Sequence, residues 1–426
     1  MIQKIEKIKR VKGSMNLPGD KSISHRAVMF AALAKGKSIV KNYLNSADVN
    51  STINCFRELG CSIEKEGSDL IIEGKGFKGF NKPLKELDAG NSGTTTRLIS
   101  GILAAQDFES IIIGDDSLST RPMKRIVDPL TEMGALLETS EQGTLPLKIY
   151  PSDKLHSINY DMRIASAQIK SAVLLAGLHL EEESVVIEHS RTRNHTETLL
   201  NLRVEEEDDH RKIFVSKKNY PEANEYQVPS DISTASFFII LALLTNHSEL
   251  HLRNVLLNET RIGILNVLKK MNANFEIEND VEINGEKSGD LLIKSSSLQN
   301  IEIEKDIIPN IIDEIPILSV AGIFSEGKFV IRNAKELRVK ESDRIKAMCE
   351  NFKKLGLNCN EFEDGFEVFG GIQNSDVIIE SYGDHRIAMA FSVLGVLTDK
   401  KISINNFECV AVSNPEFLNQ IKTIAQ

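Results

Sequence analysis

One supersecondary order recurs six times along this chain, and that recurrence restricts the fold more than any single motif does. Each round opens with cap-type residues and an apolar helix. A strand-like piece, a second helix and an alternating hairpin follow. The first round starts at Asp20, with an apolar run Ala27 to Ala34, a strand-like Lys37 to Leu44, a helix from Val49 to Gly60 and a hairpin near Ser62 to Gly74. Later rounds open at Asn91, Ser166, Ser230 with Asp231, Asp313 and Asp384. The sixth stops after a helix from Pro415 to Ala425, without its hairpin. Gln3 to Val11, QKIEKIKRV, alternates like a half-buried strand and is a candidate to complete that last sheet.

The unit reads as βαβαββ. Its first helix is apolar nearly all round in five of the six rounds, which predicts helices enclosed by sheets, in an α/β fold. Three rounds per domain give one domain over residues 20–227 and a second over 1–19 and 228–426, with two crossings near Pro18 and Pro229. A length of 426 residues agrees, since a single core rarely organises more than about 250–300.

The formal charge of -10 argues against nonspecific binding to nucleic acid or to an acidic membrane, so any basic site is local. Five cysteines form no CxxC pair and no Cys/His cluster with zinc spacing, which fits a reducing cytoplasm. Residues 1–17 interleave Lys with Ile, unlike a secretory leader, and the longest apolar run, Ala235 to Leu244, is too short to span a bilayer.

The informative positions are the six helix openings: DKSISHR, GNSGTTTR, IASAQIK, PSDIST, DEIP and YGDHR. A capped helix start presents unpaired N–H groups and a positive dipole end, which attract anions. In the first, Lys21 and Ser22 lie in the opening turn and Arg26 follows Ser22 at i,i+4, so three donors can converge on one phosphate or carboxylate. In the second, Gly93 gives backbone room beside Thr94 and Arg97, but the lysine of a nucleotide-binding P-loop is missing. Arg121 precedes Pro122, Lys340 and Arg344 stand at i,i+4 around Glu341, and Arg386 follows His385. Each motif alone fits a capped helix with solvated charges, and Asp313 and His385 alone fit cap or core roles. So many cations at helix openings in an acidic chain exceed what capping requires. If the openings of both domains face one cleft, it suits small, highly anionic molecules.

Together DKSISHRA, GNSGTTTRL, STRPM, SAQ, RVKESDR and GDHRIAMA resemble the EPSP synthase family, 3-phosphoshikimate 1-carboxyvinyltransferases, from near Pro18 to near Pro415. The resemblance implies a two-domain inside-out α/β barrel of six units. It also implies transfer of the enolpyruvyl group of phosphoenolpyruvate to the 5-hydroxyl of shikimate 3-phosphate, on the shikimate route to chorismate and the aromatic amino acids. Carried over residue by residue, Lys21 touches both substrates, and Ser22, Arg26, Ser166, Ala167 and Gln168 hold shikimate 3-phosphate. Gln168 also reaches phosphoenolpyruvate, which Arg121, Arg344 and Arg386 clamp while Gly93 leaves room. Lys340 and Asp313 bind the shikimate hydroxyls, and Arg193 is a further phosphate contact. Asp313 is assigned as base for the hydroxyl and Glu341 as acid toward C3, with an exchange of these roles left open. Domain closure excludes water. No cofactor, metal, nucleic acid or membrane is expected, and the enzyme is expected to be a cytoplasmic monomer.

Three positions depart from the family pattern. Val412 stands where many relatives carry Lys, Ala167 where some carry a second Ser, and Glu336 where some carry Asn. The first removes a phosphoenolpyruvate contact and leaves inhibitor response open. The alternative enzyme, UDP-N-acetylglucosamine 1-carboxyvinyltransferase, usually has a reactive Cys in the loop corresponding to Asp115 to Pro122, and none lies there. A noncatalytic anion-binding protein on the same scaffold is the third reading, and Asp313, Lys340 and Glu341 argue against it.

Overall fold

The openings singled out above each begin a helix with almost no polar side. In the computed structural model, which describes residues 1–426, these helices are Lys21–Leu33, Gly93–Leu103, Ala167–Gly177, Ile232–Leu244, Ile315–Ile323 and His385–Leu397. Every residue from Ile23 to Leu33 is buried, as is every residue from Ile232 to Leu243. A helix apolar all round must be covered on all sides. Five of the six are preceded by a residue whose carboxylate or hydroxyl accepts a first-turn N–H: Asp20, Ser92, Ser166, Asp231 and Asp384.

The chain partitions into two units, one of Gly19–Val228 with Glu282–Glu286, the other of Met1–Pro18, Pro229–Val281 and Lys287–Gln426. The first unit holds three four-stranded sheets and the first three buried helices. In its second sheet the short Leu87–Asp88 runs parallel to Ser110–Ile113, which pairs antiparallel with Leu147–Tyr150, itself paired to Leu136–Glu138. The other two sheets repeat this order. Gly93–Leu103 and Ala167–Gly177 approach so closely that a Cβ on Gly101 would lie 2.1 Å from the Ala172 carbonyl oxygen. Glycine is required there by contact with backbone, which cannot rotate aside.

In the other unit, Ile232–Leu244, Ile315–Ile323 and His385–Leu397 pack on one another. Their sheets are one of four strands and two of three. Ile2–Ile5 pairs antiparallel with Ile402–Asn405 and so supplies the strand missing from the sixth round. The expected strand from Gln3 to Val11 needs correction: it ends at Ile5, and a second strand, Lys12–Asn16, runs parallel to Glu249–Leu256 in a different sheet. Alternation in sequence marks half-buried strands but not the point where a chain leaves one sheet for another.

That second strand exposes a feature of the topology. Lys12–Asn16 leads into the first buried helix yet lies in the fourth round's sheet, while Glu225–Gln227 leads into the fourth helix yet pairs with Lys35–Lys41 of the first round. The two leading strands are exchanged because the chain crosses between units after each of them, at Pro18 and at Val228. Gly19 follows the first crossing, where a Cβ would lie 2.0 Å from the Asn42 carbonyl oxygen.

Candidate active site

In the Gly19–Val228 unit the helix openings are linked by hydrogen bonds and an ion pair. Lys21 Nζ lies 3.1 Å from Asp48 Oδ2, and the Asp48 carbonyl accepts at 3.4 Å from Thr95 Oγ1 in the second opening. Arg97 donates through Nη1 to Gln168 Oε1 at 2.8 Å, and Gln168 Nε2 donates to Thr94 Oγ1 at 3.1 Å, which joins the second opening to the third. Gly93 makes this possible: a Cβ there would meet Arg97 Nη1 at 2.6 Å. Arg121 is held by Asn91 Oδ1 at 2.8 Å and Ser117 Oγ at 3.2 Å. Burial first, then the neighbouring Arg121 and Arg125, pushes the Arg97 guanidinium down to about 10, so Arg97 sits among like charges.

Arg26 is placed differently from the simple convergence expected of DKSISHR. It is buried, donating to Thr196 Oγ1 at 2.7 Å, Ser171 Oγ at 2.8 Å and the Ser22 carbonyl at 3.0 Å. A side chain at i,i+4 on a helix enclosed on all sides points into the packing as readily as out of it. Ser166 caps its helix by accepting from Ile169 N, and Ala167 is the first helical residue. Arg193 is half-buried, and its charge acts on Arg26. Below them Lys170, Glu188 and Glu197 are all buried, with Lys170 Nζ 2.9 Å from Glu188 and 2.7 Å from Glu197.

The other unit gathers its three openings around two arginines. Arg344 begins the Arg344–Lys354 helix and is 1% exposed. It faces Asp384 through Nε at 2.8 Å, Asp313 through Nη1 at 3.3 Å and Glu341 through Nη2. Burial opposes its charge, but Asp384, Glu341 and Asp313 outweigh burial and hold its pKa above the ordinary value. Arg386 donates through Nη1 to the Asp313 carbonyl at 2.9 Å, with Nη2 3.9 Å from the Asp313 carboxylate. Lys340 Nζ lies 4.0 Å from Asp313 and 2.8 Å from Glu336. Asp313 is therefore not a helix cap: Glu314 occupies that position, without a side-chain cap bond. His385 is buried within its helix, and Val412 ends a short 3-10 helix, Phe407–Val412.

Lys21, Ser22 and Arg26, with Gly93, Arg121, Ser166, Ala167 and Gln168, thus lie in one unit, and Asp313, Lys340, Glu341, Arg344 and Arg386 in the other. Sequence reasoning missed Asp48, Thr196, Glu314 and the ion-pairing role of Asp384. Asp384 was visible as a cap residue. The others carry no local signal, since each matters through a partner far along the chain, 170 residues in the case of Arg26 and Thr196.

The family described as EPSP synthase (3-phosphoshikimate 1-carboxyvinyltransferase) matches residues 5–421. A 3-phosphoshikimate 1-carboxyvinyltransferase of Petrotoga mobilis is 46% identical over 413 residues, covering 96% of this chain and 95% of that protein. The enzyme of the same description from Oceanobacillus iheyensis is 45% identical over 414 residues, covering 97% and 96%. Among solved structures, EPSP synthase from Acinetobacter baumannii superposes with a TM-score of 0.89 at 41% identity, over 100% of this chain and 98% of that one. An enolpyruvyl transferase of Streptomyces tendae, 13% identical, has a TM-score of 0.78 over 100% and 98% of the two chains and shares the fold alone. With its six-round α/β architecture and this match along nearly its whole length, the chain belongs to the EPSP synthase family of transferases.

Proposed function

We propose that the protein joins phosphoenolpyruvate to the 5-hydroxyl of shikimate 3-phosphate, releasing phosphate and 5-enolpyruvylshikimate 3-phosphate, and that the two clusters described above do this work. The reading is supported most by Arg344, a single guanidinium that faces both carboxylates assigned to proton transfer, Asp313 and Glu341. Addition requires a proton at C3 of phosphoenolpyruvate while the hydroxyl oxygen attacks C2; elimination removes a proton from C3 as phosphate departs. Asp313 takes the hydroxyl proton. Glu341 delivers the proton to C3 and recovers one from the resulting methyl group.

Arg344 also accounts for how a paired carboxylate becomes an acid. When the substrate anion engages Arg344, Glu341 loses part of its cationic partner, and its affinity for a proton rises. Arg386 and Arg121 clamp phosphoenolpyruvate, and Gly93 leaves backbone room beside it. Ser22, Ser166, Ala167 and Gln168 hold shikimate 3-phosphate, Arg26 does so from its buried anchorage on Thr196 and Ser171, Lys340 engages the substrate hydroxyls, and Lys21 contacts both substrates. Preorganised cations and helix ends stabilise charge on the departing phosphate. The five cysteines are all free thiols, in keeping with a cytoplasmic enzyme, and we take it to act as a monomer. No helix is long and apolar enough to cross a membrane.

Phosphate release from a mixture of both substrates tests the reaction, with UDP-N-acetylglucosamine in place of shikimate 3-phosphate as the control acceptor. Asp313→Asn is expected to lose about 100-fold or more in kcat while both ligands still bind in calorimetry. Near-parental turnover in that variant would reject the role given to Asp313.

A further inference from the structure

Behind Arg386 lies a buried polar chain that the reaction as written does not use. Glu314 is 2% exposed, and its carboxylate accepts from Ser233 Oγ. Ser233 Oγ in turn accepts from Arg261 Nη2 at 2.6 Å, and Arg261 lies 3.5 Å from Asp231. Because the arginine can only donate, the serine hydroxyl hydrogen is left to point at Glu314. The same Glu314 oxygen, Oε1, stands 3.7 Å from Arg386 Nη1, the nitrogen that donates to the Asp313 carbonyl at 2.9 Å. Burial pushes the Glu314 carboxyl up, and Arg386 acts against that rise.

We propose that Glu314 is a positioning residue: fixed from behind by Ser233 and Arg261, it orients the Arg386 guanidinium for the carboxylate or phosphate of the enolpyruvyl donor. The inference rests on the reading of Arg386 as an anion clamp. An arginine near a helix start has four side-chain torsions to fix, and the Asp313 carbonyl fixes only one nitrogen. A second, ionic contact on that nitrogen, from a carboxylate held by Ser233, draws the group toward one orientation. A carboxylate so close to the clamp also repels an arriving anion, so the two effects predict opposite outcomes. If orientation governs, losing either Glu314's charge or its anchor weakens donor binding; if the field governs, losing the charge strengthens binding and losing the anchor changes nothing.

The test is steady-state kinetics at saturating shikimate 3-phosphate for Glu314→Gln, Ser233→Ala and the double variant. Orientation predicts that each single change raises KM for phosphoenolpyruvate about tenfold with kcat within about threefold, and that the double variant is no worse than either single one, because both break the same chain. An unchanged or lowered KM in either single variant would overturn the proposal. Ser233→Ala keeps the charge and removes one oxygen, so it carries the test should Glu314→Gln fail to fold. Arg386→Lys separates the two levels: a raised KM there with normal KM in both single variants rejects Glu314 alone, whereas no change in Arg386→Lys removes the clamp and the inference with it.

Discussion

Gly101→Ala tests whether the two adjoining helix openings depend on close backbone approach. The added Cβ would lie 2.1 Å from the Ala172 carbonyl oxygen, 2.9 Å from its carbon and 3.1 Å from its Cα. Nonbonded heavy atoms settle near about 3.5 Å, so Gly93–Leu103 and Ala167–Gly177 must separate by roughly 1 Å. Overpacking of this kind costs about 1–3 kcal/mol. A backbone obstacle puts Gly101 at the upper end, and the better helix propensity of alanine offsets about 1 kcal/mol. A net loss of about 2 kcal/mol lowers the melting temperature by roughly 4–8 °C in a unit of this size. The same separation would lengthen the Arg97–Gln168 and Gln168–Thr94 bonds, now 2.8 and 3.1 Å, beyond hydrogen-bonding range. Calorimetry should show the lower transition, and kinetics a raised KM for both substrates. Gly371→Ala is the control, since its Cβ would meet only Gln373 Nε2, at 3.9 Å. If Gly101→Ala melts with the parent protein while Gly371→Ala does too, the account of why these helices need glycine is wrong.

Two further predictions concern buried charge. Lys170→Met removes the cation that buried Glu188 and Glu197 share, leaving Glu188 with Arg211 at 3.4 Å, and should cost about 3–5 kcal/mol in denaturant unfolding, much of it recovered on adding Glu197→Gln; a loss below about 1 kcal/mol would contradict this. His25 is fully buried, and burial first pushes its pKa down to about 3, although Asp48 acts the other way. Above pH 6.5 the ring is neutral folded and unfolded, so pH has no effect through it. Below 6.5 the unfolded chain takes up the proton first, and stability falls by about 1.4 kcal/mol per pH unit down to about pH 3. His179, pushed down to about 4 by burial, adds a parallel loss from 6.5 to 4. His25→Gln should remove one proton's share of the slope between pH 6 and 4, and an unchanged slope would refute the burial argument.

The repeated order was legible because burial imposes it locally: an enclosed helix must be apolar all round, and a half-covered strand must alternate. The exchange of leading strands was not, since Lys12–Asn16 would alternate equally well beside either partner sheet. The site divides the same way. Lys21, Arg121, Lys340 and Arg344 declare themselves as cations at helix openings of an acidic chain. Glu314 and Thr196 look like ordinary surface polar residues in sequence, and only packing reveals that each is buried against an arginine side chain. Even Arg26, read as reaching outward, proved to be anchored inward by Thr196 and Ser171.

Ile2–Ile5 finds its partner in Ile402–Asn405, about 400 residues further along the chain. Val11 similarly bridges Ala425, and Arg10 N donates to the Gln426 carbonyl at 3.1 Å. A growing polypeptide can therefore assemble most of Gly19–Val228 while still attached to the ribosome, waiting only for Glu282–Glu286. The remaining unit closes its last sheet only once Ile402–Asn405 has been made. Until then Ile2–Ile5 lacks its partner, and Lys4 within it disfavours pairing with foreign sheets.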